Sequence, residues 1–248
     1  WSRGLGDVYK RQKYAQVAIR DFHWGGMENT GLTTLNANTL FDKDTENIFQ
    51  SESIVAHELA HQWFGDLLTC KDWSHIWLNE GFATYYTWLW EGDHFGEQEL
   101  QFNAYGAARE ITGKQDEKRG VVWRKYQEPT EMFNYLAYPK GAWVLHMLRS
   151  QLGTELYRTC VQEYVRRNAF GSVNSESFRT VIEERSGRHF EAFFEQWLFG
   201  VGTPKLEVTY RWDEASGMAR IGVKQVQKVD EMRPVFGFPL KVRFVWEG

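Results

Sequence analysis

The stretch VAHELAHQWFGD, Val55 to Asp66, sets two histidines four residues apart with a glutamate directly after the first. Imidazole nitrogens bind divalent metals, and a carboxylate beside such a pair can act as base on a water held at the ion. On a helix each residue turns 100° and rises 1.5 Å, so His61 lies about 40° around and about 6 Å along from His57. Both rings then point from one face toward a single ion. Glu58 stands about 100° from His57 and about 60° from His61, bordering that face without taking a ligand position. Zinc in a hydrolase needs a third protein ligand and one open position. Glu80, in WLNEGFATYY, follows His61 after eighteen residues and falls on the next predicted helix. With seven His and 23 Glu in 248 residues, chance spells H-E-x-x-H in roughly 2% of such chains, and requiring Glu80 as well lowers that to roughly 0.2%. The bland reading makes each His an ordinary hydrogen-bonding residue of core or surface. His23, His75, His94, His146 and His189 have no such spacing partners and are read as structural.

The elements that must hold these groups follow from periodicity and punctuation. KYAQVAIRDFHW alternates as a strand through Tyr14, Val17 and Ile19, GGMENTG is a glycine loop, and LTTLNANTLF is a second strand. DKDTEN is a polar surface loop. From about Ser51 the period becomes helical, with Ser51 or Ser53 as N-cap and Val55, Ala56, Leu59, Ala60 and Trp63 as the apolar arc that anchors the helix. A second helix runs from about Ile76 to Glu91 and is closed by Gly92. Further helices are expected near 97–112, 139–151, 154–168, 175–185 and 189–199, punctuated by Gly153, Gly171 and Gly187. After FGVGTP the pattern changes to half-buried antiparallel strands, with Leu206, Val208, Tyr210 and Trp212 alternating, and again Leu240, Val242, Phe244 and Trp246.

Composition narrows the class. Hydrophobic residues make up 42% and charged residues 25%, the balance of a soluble globular protein. A net charge of −4 gives no basic face for a phosphate backbone, so no nucleic-acid partner is expected. No apolar run approaches the roughly 20 residues of a membrane span. Cys70 and Cys160 lie far apart, fit no CxxC pattern and read as two free thiols. The opening WSRGLGDVYKRQ has neither an initiator Met nor signal-peptide architecture, and it resembles adapter-derived sequence. Residues 1–12 are therefore set aside as a non-native leader.

GGMEN at 25–29, HELAH followed after eighteen residues by NEGFA, and YPKGA at 138–142 occur together in this chain. In that combination the sequence resembles the gluzincin aminopeptidases, the zinc peptidases typified by aminopeptidase N and leukotriene A4 hydrolase. The stretches HQWFGDLLT, DWSHIWLNEGFATYY and FEQWLFGVGTPKLEV are similar to the family's sequence around the zinc and at the end of its catalytic domain. The resemblance implies an α+β fold: a thermolysin-like catalytic domain over residues 13–202, mostly helical with a small sheet edge, followed at 203–248 by the start of a β-sandwich. It implies one Zn²⁺ per chain held by His57, His61 and Glu80, with Glu58 as general base and Tyr138 as oxyanion donor. Tyr135 is the nearest rival, but only Tyr138 stands two residues before Lys-Gly-Ala. Glu28 is implied as the carboxylate that holds the substrate's α-ammonium, inside the substrate-binding run Gly25, Gly26, Met27, Glu28 and Asn29. The implied partners are peptides with a free amino terminus. Two other readings stand beside this one: an epoxide hydrolase with aminopeptidase activity on the same zinc set, and a non-catalytic scaffold of this fold.

Overall fold

A computed structural model describes residues 13–42, 44–45, 51–114 and 118–245. The set-aside residues 1–12, part of the DKDTEN loop and Trp246 lie outside them. The architecture is α+β. Strands β1 (Ala15–Ile19), β2 (Gly26–Met27) and β3 (Leu32–Asn36) form one sheet in the order β1-β3-β2. β1 runs parallel to β3 and β2 antiparallel to it, which leaves β2 at the edge. The glycine loop of the sequence reading thus contains a short strand.

Helix α1 (Glu52–Ala60) follows, then β4 (Leu68–Cys70), α2 (Trp77–His94) and α3 (Glu97–Gly113). After a π-turn at Leu136–Lys140 come α4 (Gly141–Leu152), α5 (Thr154–Asn168), β5 (Gly171–Val173), α6 (Ser175–Ser186) and α7 (Glu191–Phe194), which runs into a second π-turn at Glu195–Phe199. β4 and β5 pair in parallel and tie the end of α1 to the end of α5. β6 (Leu206–Asp213) and β7 (Met218–Gln225) form an antiparallel hairpin.

α2 is the axis of the molecule. It is buried over most of its surface: Trp77, Leu78, Phe82, Ala83 and Tyr85 fill an apolar arc, and Glu80, Thr87 and Glu91 on the remaining polar stripe are buried too. Phe82 stacks on Phe64 at 4.3 Å and meets Phe178 edge-on at 5.1 Å, joining α2 to the turn after α1 and to α6. Such aromatic contacts favour fixed relative positions, which a metal site built on two helices requires.

Several expectations change. Gly92 does not close α2, which continues to His94; a Cβ there would crowd Leu100 of α3, so the glycine serves helix packing. On α1 the apolar arc is not the deeply buried side: Leu59 is exposed, Val55 and Ala56 are only half-buried, and Glu58 and Ala60 are the buried members. The helix instead turns its polar side onto α2. Ser51 precedes α1 but makes no capping bond, because its Oγ accepts from Phe41 N. Residues 240–245 form no strand among the described residues, and β6 is exposed along most of its length instead of half-buried. Both cysteines are free thiols.

Candidate metal centre and cleft

His57 lies on the last turns of α1, and His61 is the residue that ends it, still in helical geometry with its N–H donated to His57 O. Glu80 comes from the first turn of α2. Their ligand atoms form a nearly regular triangle. His57 Nε2 and His61 Nε2 are 3.1 Å apart, Glu80 Oε2 is 3.3 Å from the first and 3.2 Å from the second. A tetrahedral ion with bonds of 2.0–2.1 Å requires ligand atoms about 3.3 Å apart, so the triangle has the edge of one face of a zinc tetrahedron. The tautomer is set as well. His61 Nδ1 lies 2.9 Å from Phe64 O and donates to that carbonyl, leaving the Nε2 lone pair for the ion. Two imidazole nitrogens and a carboxylate oxygen converging on one point have too few protons to satisfy one another, and a cation satisfies all three.

The electrostatics agree. Burial lowers the His57 pKa against the pull of Glu80. At His61 burial works downward too, but Glu80, Glu28 and Glu58 outweigh it and raise the pKa to about 10. Glu80 is held down at about 2, the two histidines overcoming its burial. The site is therefore a buried negative pocket that holds one positive charge.

Glu58, next to His57, is buried, and burial pushes its carboxyl up to about 8 despite the nearby His61. Its Oε2 has no hydrogen-bond partner among the described residues. A carboxyl beside the ligand triangle with an oxygen not tied up by the described residues is placed to accept and return a proton. Tyr138 sits in the π-turn, its ring stacked on His57 at 6.1 Å, and burial together with Glu80 raises its pKa, so it stays a hydroxyl donor. Two glycines set this placement. Gly81 follows Glu80 and Gly141 follows the π-turn; a Cβ on Gly81 would lie 3.0 Å from Gly141 Cα and 3.1 Å from Ala137 O. Their backbones touch, which brings Tyr138 over Glu80.

The Gly25–Asn29 run faces the same cleft, with Gly25, Gly26, Met27 and Glu28 on its wall and about 1350 Å³ of space. Glu28 Oε1 lies 4.0 Å from His61 Nδ1. Glu28, Glu58 and His61 form a second close cluster of ligand-type atoms, but His61 Nδ1 is committed to Phe64 O, so this cluster leaves two carboxylates facing the cleft. Asn29 does not turn into the cleft; its Nδ2 donates to Thr34 Oγ1. Sequence reading missed Gln62. Fully buried, it accepts from Gly31 N and donates to Glu28 O, clamping the glycine loop to the turn that follows α1. The signal was present: an amide directly after the second histidine, with no ligand role to fill. His75 and His146 take structural bonds, to Ser175 and Tyr85.

The family model described as the Peptidase family M1 domain matches residues 5–197. The chain belongs to peptidase family M1. Among curated proteins, aminopeptidase M1-C of Oryza sativa subsp. japonica is 35% identical over 208 residues, 81% of this chain and 24% of that protein. Glutamyl aminopeptidase of Bos taurus is 31% identical over 215 residues, 82% of this chain and 22% of that protein. The chain thus spans about a quarter of the length of the curated relatives it matches. Among solved structures, aminopeptidase A of Legionella pneumophila in complex with aspartic acid superposes with TM-score 0.79 at 25% identity, covering 91% of this chain and 26% of that one. A mutant M1 zinc metallopeptidase of Deinococcus radiodurans bound to a Tyr-Ser-Ala substrate superposes with TM-score 0.68 at 28% identity, over 82% of this chain and 44% of that one.

Proposed function

We propose that this chain carries the catalytic centre of a zinc aminopeptidase, with catalysis resting on residues 13–202. The observation that supports it most is the triangle of His57, His61 and Glu80 with the unpartnered Glu58 Oε2 beside it. Zinc, when bound there, supplies a Lewis acid for attack of water on the scissile carbonyl. Glu58 takes the proton of the attacking water on its carboxylate and returns it to the leaving amine. The Tyr138 hydroxyl donates to the oxyanion that forms. Among the described residues β2 has an unpaired edge, so the peptide backbone adds beside Gly26 as a further strand.

Removal of residues one at a time from a free terminus needs more than the metal, since H-E-x-x-H alone serves endopeptidases equally. Glu28 supplies it. Its carboxylate faces the cleft near the metal ligands and pairs with the α-ammonium of the first substrate residue. A charged hydrogen bond of this kind is worth about 1.5–3 kcal/mol. Glu28→Ala is expected to lower kcat/KM on free-terminus peptides by roughly 10–150-fold, and acetylation of the substrate should abolish cleavage by the unsubstituted chain. The experiment is one peptide, free and acetylated, against both proteins. Efficient internal cleavage of the acetylated peptide would replace the exopeptidase reading with a general zinc endopeptidase. No helix among the described residues is long and apolar enough to cross a membrane.

A further inference from the structure

We propose that Lys140 is a positioning residue for the oxyanion donor: bonded to Gly202 O, it sets the rotation of the π-turn and so the aim of the Tyr138 hydroxyl. This rests on the aminopeptidase reading and adds a residue to it. Lys140 stands inside the same turn as Tyr138, directly before Gly141 of α4. The local chemistry disfavours a lysine there. It is 4% exposed, and it sits at the N-terminal end of α4, where the helix dipole opposes a positive charge. Burial alone pushes its amine down to about 8, and no carboxylate among the described residues pairs with it. An amine kept out of water costs stability unless it is bonded. The bond it makes runs from Nζ to Gly202 O at 3.0 Å, 62 residues along the chain.

That bond lies where it can act on Tyr138. Two residues along a helical turn is roughly half a circle. Tyr138 faces His57 on the cleft side, and Lys140 faces Gly202 on the other. Pro139 stands between them, and its ring fixes φ, so there is little slack in the backbone that joins the two. The acceptor is held as well. Val201 is buried and its N–H donates to Met232 O, while Gly202 takes a left-handed φ of 83° that glycine adopts freely. The contact of Gly81 with Gly141 sets how closely the turn approaches Glu80; the Lys140 bond sets how far the turn is rolled. An oxyanion donor has to meet the developing charge at hydrogen-bond distance, and a misplacement of about 1 Å caused far from the chemistry can cost about 10²-fold.

The test is steady-state hydrolysis of one free-terminus peptide by the zinc-loaded chain, with denaturant unfolding and amide hydrogen exchange on the same samples. Lys140→Met keeps the apolar stem and removes the donor. It is expected to lower kcat by roughly 10–100-fold and leave KM within about twofold. The unfolding midpoint should stay or rise, since the burial cost of the amine goes with it. Lys140→Arg, which keeps a donor, should recover part of the lost kcat. In a Tyr138→Phe background Lys140→Met should cost less than about twofold, because a residue acting through that hydroxyl has nothing left to position. Gly202→Val tests the other end of the bond. A Cβ there meets nothing within 4 Å, but a β-branched residue rejects the left-handed φ and swings the carbonyl away, so kcat should fall and KM should not. Unchanged kcat in Lys140→Met overturns the proposal, as does an equal loss with and without the Tyr138 hydroxyl. Unfolding of both Lys140→Met and Gly202→Val overturns it too, by making the bond a structural one. Exchange over Leu136–Lys140, read without substrate, should quicken in Lys140→Met, and unchanged exchange overturns the proposal whether or not peptide is cut. Quickened exchange in a chain that never hydrolyses peptide would break the aminopeptidase reading while leaving the hold of Lys140 on the turn standing.

Discussion

Around α2, Trp77, Phe82 and Tyr85 are each 0% exposed, enclosed by α1, α4, α5 and α6. On β6 the side chains of the alternating apolar face, Leu206, Val208, Tyr210 and Trp212, stay 38–66% exposed. That face is internally well made: Val208 pairs with Val223 and Tyr210 with Ile221 across the hairpin. Both regions carry strong hydrophobic patterns, yet only one is covered among the described residues. A pattern says which side of an element requires cover. The cover itself comes from other elements, and only α2 has them packed around it here. Catalytic geometry needs the covered kind, because ligand atoms about 3.2 Å apart from two helices hold their places only if the helices do.

Replacing one residue in each region tests the contrast. Phe82→Ala should cost about 3–5 kcal/mol of unfolding free energy, through lost burial and the cavity it leaves among Phe64, Tyr164 and Phe178. A loss under about 1 kcal/mol in denaturant titration would mean that the aromatic stack is not what fixes α2. Tyr138→Phe removes one hydroxyl from the covered region and leaves the ring stacked on His57. Turnover should fall by roughly 10²–10³-fold with little change in KM, the usual effect of losing one oxyanion donor. Unchanged turnover would move that role to another group, Tyr135 first. The smallest effect belongs to the hairpin. Tyr210→Ser should shift stability by no more than about 0.5 kcal/mol, since little cover is lost. A drop of 2 kcal/mol or more in the same titration would show the hairpin packed in solution and erase the contrast.

Much of the site was legible because its geometry is local. The spacing His57–His61 needs only one helical turn, and Glu80 needs only the next helix. The helices at 97–113, 154–168 and 175–186 were legible from caps and period, and Gly187 at φ 66° is the left-handed stop its residue type promises. What stayed hidden depends on contacts between distant segments. Gly92 reads as a helix stop, yet its φ is not in the left-handed region and its lack of a side chain makes room for Leu100. The meeting of Gly81 and Gly141 is invisible in periodicity, as is the π-turn that presents Tyr138. Without its family resemblance, Tyr138 would have stood among eleven tyrosines with nothing to single it out. Alternation at 240–245 promised a strand, but a strand needs a partner to pair with, and none of the described residues provides one.

In the proposed centre His57, His61 and Glu80 hold one zinc while Glu58, which is not a ligand, moves the proton. Elemental analysis and peptide hydrolysis of the same purified samples test it: the unsubstituted chain, His61→Ala and Glu58→Gln. One zinc per chain is expected in the unsubstituted protein and in Glu58→Gln, with hydrolysis in the first alone, and no stoichiometric zinc in His61→Ala. Full zinc in His61→Ala, or hydrolysis retained in Glu58→Gln, would contradict the account.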